Sequence, residues 1–250
     1  MRLLTLDLET IQPGWVKPPE AKRDFPSLPW HRIICACWIK VTVTPLAEPV
    51  FEVGYLSKEI IEPVFNAEGK VVLDHEKGFS FSDLTALGDK VRDCDRMITW
   101  NGRGFDLPLI RLETARCGLD MRWCDHERLR RFPDFKKGDL WHWDLMDQMT
   151  NNGASDWISL NDAAIAFGLP GKGQTTGKSI TELYSVGRSN EIRNYCLEDV
   201  LHTWLIACKW QHMAEGSRDL TDATLGWAST VPEFKGWFER KRLIEAGAAV

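Results

Sequence analysis

Carboxylates at three places in this chain have the types and spacing that divalent-cation chemistry uses. The N-terminal run LLTLDLET sets Asp7 and Glu9 two residues apart at the end of an apolar stretch. Side chains alternate along an extended strand, so both acids project from one face. Like charges on one face of a buried strand repel and desolvate badly unless a cation lies between them. A strand emerging into solvent is the plain alternative. The triplet alone does not decide, because Asp-x-Glu recurs at Asp74/Glu76 and Asp125/Glu127. The second copy is followed at once by Lys77 and Gly78, which suits a hairpin tip, and the third falls in a charged, irregular segment.

The second place is NGRGFDLPLI, between the strand-like MITW and a helical run. Asn and Gly make the turn, and Asp106 is expected to cap the helix and also to face a metal. The third is NYCLEDVLHTW, where Tyr195 and Asp199 are spaced i, i+4 and so share a helical face. Only three tyrosines occur in the chain, which sharpens that placement. Other groups weigh less. Asp144 in WHWDLMD reads as a strand-end cap, with an extra acid near the site as the alternative. His142 and His202 are ligands by residue type only, and His202 is expected at the surface.

In chain order, DLET, NGRGFD and YCLED together resemble the DEDD superfamily of 3′→5′ exonucleases, in its tyrosine subclass. Within it, the chain is similar to the predicted exonucleases related to the proofreading domain of B-family DNA polymerases. HWDLMD, SLNDAAIAFGLPGK and NYCLEDVLHTW carry the same likeness, which spans roughly residues 1 to 210. The resemblance implies an RNase H-like fold and phosphodiester hydrolysis with two Mg²⁺ or Mn²⁺ ions. Such a pair, about 3.5–4 Å apart, activates the attacking water and steadies the leaving alkoxide. Hard cations take oxygen ligands. By the resemblance, Asp7, Glu9, Asp106 and Asp199 are the metal ligands, Asp7 bridging and Asp106 in support. Tyr195 orients the water. Thr10, Asn101 and Phe105 contact the terminal nucleotide, although Asn101 and Phe105 could equally be structural turn residues.

These residues need a scaffold. Strand patterns run over 3–9, 31–43, 49–56 and, briefly, 70–76, with Pro45 and Pro49 marking a turn. A helix opened by a Ser cap is expected over 82–94, a strand at 97–100, and a helix from 106 closed by Gly118. Residues 120–157 show no clear period. Ser159 opens a helix that Gly168-Leu169-Pro170 stops, and a long helix covers about 190–214. In the tail, Thr230-x-x-Glu233 has capping-box spacing. Strands followed by alternating helix and strand give an α/β mixed sheet flanked by helices. The expected division is an exonuclease domain over 1–214 and a helical C-terminal extension over 215–250.

Composition narrows the partners. The net charge is −5 with pI near 5.7, unlike a protein that coats duplex nucleic acid, which is usually basic; bound cations would supply the missing charge. Seven cysteines without a CxxC pair exclude a paired-CxxC zinc site and read as buried reduced thiols. No apolar run approaches the ~20 residues of a membrane span, and the N-terminus lacks a signal peptide, so the cytoplasm is the expected compartment. GKGQTTGKS fails as a P-loop, since Lys172 stands where the first Gly is needed. Lys172 and Lys178 in that loop are expected on the substrate backbone or merely solvated. ERLRRFPDFKKGDLWHW interleaves base and aromatic, which suits a single strand. Single-stranded DNA 3′ ends are the expected substrate, with a polymerase or another replication or repair protein as a partner. An RNA exonuclease, or a non-catalytic nucleic-acid-binding module on the same fold, is the alternative.

Overall fold

The computed structural model describes residues 1–12, 28–58, 78–120, 141–172, 180–215 and 218–247. Strand β1, Arg2–Ile11, runs through the middle of a five-stranded sheet. Beside it lie β2, Arg32–Thr42, and then β3, Val50–Ser57, paired antiparallel in sequence order. On its other side lie β4, Arg96–Thr99, and β5, His142–Asp144, both parallel. The order β3-β2-β1-β4-β5 thus joins a meander to two parallel crossovers. Parallel neighbours need long connections, usually helical. Here α1, Phe81–Arg92, precedes β4, and α2, Asp106–Arg116, follows it.

Both faces of β1 are covered, and its alternation sorts two cores. Leu4, Leu6 and Leu8 pack under Leu84, Leu87 and Val91 of α1 and Leu107 and Ile110 of α2. Leu3 and Ile11 point the other way with Cys35, Cys37 and Ile39 of β2. That face is covered by α6, Ser189–Glu215, together with α4, Leu160–Ala166, and α5, Ile180–Ser185. Burying apolar area on this scale is the main driving force for folding. Among the described residues no helix is long and apolar enough to cross a membrane, and the six described cysteines are free thiols.

Local signals explain most element ends. Gly118 adopts φ 66, and Leu119 N–H reaches back to Thr114 C=O at 3.0 Å, the glycine stop expected for α2. Ser159 caps α4 by accepting from Asp162 N–H. The cap of α1 is Ser80, not Ser82: Ser80 and Asp83 form a reciprocal capping box. The box expected at Thr230/Glu233 does not form, because Thr230 Oγ1 donates to Trp227 C=O and the turn Pro232–Phe234 has no side-chain cap. Strand β5 and the short helix α3, Leu145–Met149, fall where the sequence shows no period; elements this short are set by their neighbours. The expected strand at 70–76 lies outside the described residues.

The tail forms α7, Thr221–Ala228, and α8, Lys235–Glu245. Phe234 and Trp237 are fully buried in the α6-side core. Trp237 Nε1 donates to His202 Nε2 at 2.8 Å, Trp204 Nε1 donates to Thr224 Oγ1 at 2.8 Å, and Arg240 pairs with Glu198. Removing an indole from such a site costs about 3–5 kcal/mol. Denaturation of Trp237→Ala should therefore show one transition displaced by that amount. Two separated transitions would mean that the tail folds apart from the rest.

Candidate active site

Alternation along β1 puts Asp7 and Glu9 on the face covered by α6. The register with β2 slips just beyond them: Glu9 pairs with Cys35 but Thr10 with Ile33, leaving Ile34 as the extra residue. Such a bulge bends and twists a strand where it leaves a site. Helix α6 lies over this point with Tyr195 and Asp199 one turn apart. Asp7 and Asp199 open onto a cavity of about 460 Å³, walled by Trp100, Asn101, Trp157 and Lys172 among others.

Asp106 arrives from the loop that follows β4, the parallel neighbour of β1. It is the first residue of α2 and does not cap it; the capping position is Phe105, which makes no side-chain cap bond. The Asp106 carboxylate instead accepts from its own N–H and from Leu8 N–H, between Asp7 and Glu9 on β1. The β1–β4 register ends at Thr5↔Ile98, so Leu8 N–H has no strand partner on that side, and the carboxylate takes its place.

The loop before α2 is built to deliver that residue. Asn101 holds φ 58, and a Cβ on Gly102 would stand 2.3 Å from Thr99 Oγ1, so only glycine fits. Asp144 accepts from the N–H groups of Asn101 at 3.0 Å and Arg103 at 2.9 Å, and also caps α3. The cap role read from the sequence therefore holds, and the same carboxylate anchors the loop. Arg103 closes the arrangement on Asp147.

Gathering these acids has an electrostatic cost. Burial, then repulsion from Asp199 and Asp106, holds Asp7 well above the usual carboxylate range. Burial, then Asp7 and Asp199, does the same to Glu9. Burial and then Asp144 push Asp106 up to about 7, and burial pushes Asp199 to about 6 although Lys172 opposes it. Lys172 Nζ donates to Tyr195 Oη at 2.9 Å and pairs with Asp199 Oδ2. Burial disfavours its ammonium, but Asp199 and Tyr195 outweigh that and hold the lysine charged. Burial, then Asp199, raises the Tyr195 phenol, which keeps its proton at neutral pH.

Asp199 Oδ1 is buried with no hydrogen-bond partner. An orphaned carboxylate oxygen among mutually repelling carboxylates suits a hard divalent cation. Asp7, Glu9 and the Cys196 sulfur offer atoms all within 4.8 Å of one another.

Comparison with known proteins identifies a family and a fold. The sequence pattern of predicted 3′–5′ exonucleases related to the exonuclease domain of PolB matches residues 23–224. The chain belongs to this family. The match includes Asp106, Lys172, Tyr195 and Asp199 but begins after Asp7 and Glu9. Among solved structures, the family B DNA polymerase from the hyperthermophilic archaeon Pyrobaculum calidifontis is similar in fold, with a TM-score of 0.50 at 15% identity over 99% of this chain and 29% of the polymerase chain. The five-stranded mixed sheet with its flanking helices is RNase H-like. No curated protein matches the sequence.

Other residues of this exonuclease-family chain fall as follows. Thr10 Oγ1 lies 2.9 Å from His31 Nδ1, and Phe105 meets the His31 ring edge-on at 5.3 Å; neither lines the cavity. Lys178 and the pairs Asp74/Glu76 and Asp125/Glu127 lie outside the described residues. His202 is fully buried, not at the surface, because the indole of the tail covers it. Burial lowers His202 to about 4 and His142 to about 3, so both stay neutral, His142 bonded to Thr99 at 2.8 Å. Sequence reasoning missed Trp100, Trp157 and Cys196. With twelve tryptophans in the chain, only the 70% exposure of Trp157 beside the cavity marks it out.

The raised carboxyls set a pH dependence. An unfolded aspartate titrates near 3.9, whereas Asp106 titrates at about 7 and Asp199 at about 6. Between those values the folded state keeps protons that the unfolded chain has released, so cation-free stability falls as pH rises from about 4 to about 7. Cation binding needs the ionised acids and reverses that loss. Mn²⁺ should raise the melting temperature more at about pH 8 than at about pH 6. A melting temperature that Mn²⁺ leaves unmoved at both would show that the cluster holds no cation.

Proposed function

We propose that the chain is a divalent-metal-dependent 3′→5′ exonuclease of the DEDD tyrosine subclass, acting on single-stranded DNA 3′ ends. The observation that carries this reading is Asp199: one oxygen is buried and unpartnered, the other holds the lysine that also reaches Tyr195, and its charge acts on Asp7. Asp7, Glu9 and Asp199 would hold the cations, with Asp106 contributing from the Leu8 side. Bound there, divalent cations supply the acidity that activates water and neutralise charge on the leaving oxygen.

The protein groups then divide the remaining tasks. Tyr195 stays protonated and can donate or accept one hydrogen bond, so it positions the attacking water and does not deprotonate it. Lys172 is held charged next to Asp199, within reach of a phosphate entering the cavity. Trp100 and Trp157 flank that cavity and offer rings on which the terminal bases stack. Asn101, fixed by its strained loop, offers an amide to the same nucleotide. An acidic protein can bind a polyanion here because the cations supply the opposing charge.

Digestion of 3′-labelled and 5′-labelled DNA and RNA oligomers with Mg²⁺, Mn²⁺ or EDTA tests the reading. Mononucleotide release from single-stranded DNA 3′ ends, abolished by EDTA, is expected. Faster digestion of RNA would move the substrate to RNA, and absence of metal-dependent release would overturn the proposal. Asp199→Asn should fall to background, and Mn²⁺ should rescue it poorly. Tyr195→Phe keeps the ring and every acid, so oligomer binding in Ca²⁺ should stay near wild type while turnover drops about 10²-fold or more. A wild-type rate for this variant would make Tyr195 a packing residue. Trp157→Ala should raise KM about tenfold with kcat little changed, the scale of one lost stacking contact. An unchanged KM would remove Trp157 from the substrate path.

A further inference from the structure

Beside the carboxylates lie three thiols. Cys35 and Cys37 stand on β2, in register with Glu9 and Asp7, and Cys196 follows Tyr195 on α6. All are buried. Cys35 Sγ and Cys37 Sγ are 3.6 Å apart, and the three sulfurs lie within 4.8 Å of one another. Single buried cysteines need no explanation beyond packing as small apolar groups, and Cys94 and Cys208 fit that description. Convergence of three sulfurs from a strand and a helix is different. Tetrahedral thiolate sites with metal–sulfur bonds of about 2.3 Å place their sulfurs about 3.8 Å apart, inside the range seen here.

We propose that Cys35, Cys37 and Cys196 form a seat for a thiophilic divalent cation, Zn²⁺ or Cd²⁺, and that filling it shuts off the carboxylate site. The donor sets separate by softness: oxygen for hard ions, sulfur for soft ones. Each sulfur that ligates gives up its thiol proton to solvent as the metal–sulfur bond forms, and nothing is oxidised or reduced. Cys196 Sγ donates to Asp7 C=O at 3.5 Å and lies 3.6 Å from Asp7 Oδ2. Ligation removes that donor and sets a fixed cation one sulfur away from Asp7. Asp7 then turns toward the soft ion and away from Asp199. The seat stands on the sulfur geometry alone, whereas the shut-off rests on the exonuclease reading.

Cadmium titrated into the reduced full-length chain reports the seat directly, through the ultraviolet thiolate-to-cadmium charge-transfer band. One equivalent should saturate the band in wild type. Cys37→Ser, and Cys35→Ser should the first fail to fold by circular dichroism, should weaken cadmium binding about tenfold or more. In cleavage assays at saturating Mg²⁺, one equivalent of Cd²⁺ should abolish wild-type activity without relief by further Mg²⁺, and the folded serine variant should resist. No thiolate band in wild type, or an equal band in the serine variants, overturns the seat; the second outcome would assign the signal to other thiols such as Cys117. A band that forms while cleavage continues undiminished overturns the shut-off. A chain without nuclease activity still answers the first question through the band.

Discussion

Confinement of like charge is the constraint on which the rest of this structure depends. Four carboxyl groups from β1, α2 and α6 are brought together where water is scarce, and each raises the proton affinity of another or is raised by burial itself. No fold gathers such groups for stability, since each buried charge without a partner is unfavourable. The surrounding elements hold them regardless: a strand covered on both faces, a long helix across it, and a glycine-dependent loop tied down by Asp144. Lys172 partly balances the charge by engaging Asp199 and Tyr195. A lysine in that position gives the cation-free chain a tolerable ground state.

Part of this was legible in the sequence, for reasons that differ by residue. Period-two alternation put Asp7 and Glu9 on one face of an apolar strand, but only the resemblance of the three motifs in chain order singled them out. Helical spacing put Tyr195 and Asp199 on one face, and the same resemblance gave that face its role. The mixed sheet followed from strand runs giving way to alternating helix and strand. What failed was tertiary. Asp106 looked like a cap from its position at a helix start, but its carboxylate goes to Leu8 N–H, roughly a hundred residues away in the chain, and no local pattern encodes that. His202 looked exposed because it stands three residues beyond Asp199, yet the tail folds back to cover it. Strand β5 has three residues and no period to read.

The family match and the sequence motifs inform each other unevenly. The matched span starts at residue 23, so DLET lies upstream of it, and the pairing of Asp7 and Glu9 with the matched residues rests on geometry. The similarity to an archaeal polymerase speaks to the fold, and this chain corresponds to less than a third of that protein. At so low an identity, the fold is what the two share.

The indole of Trp237 reaches further than its own burial suggests. It donates to one nitrogen of His202, and the other nitrogen faces the Pro170 carbonyl without a well-formed hydrogen bond. Two residues beyond Pro170 stands Lys172. The last helix is therefore a backstop behind the lysine that engages Asp199, joined to it through a single imidazole. A chain trimmed after α6, at what looks like a natural border, would keep every carboxylate and still free that imidazole to tilt. Loss of activity in such a fragment would be a failure of alignment, with the chemistry itself intact.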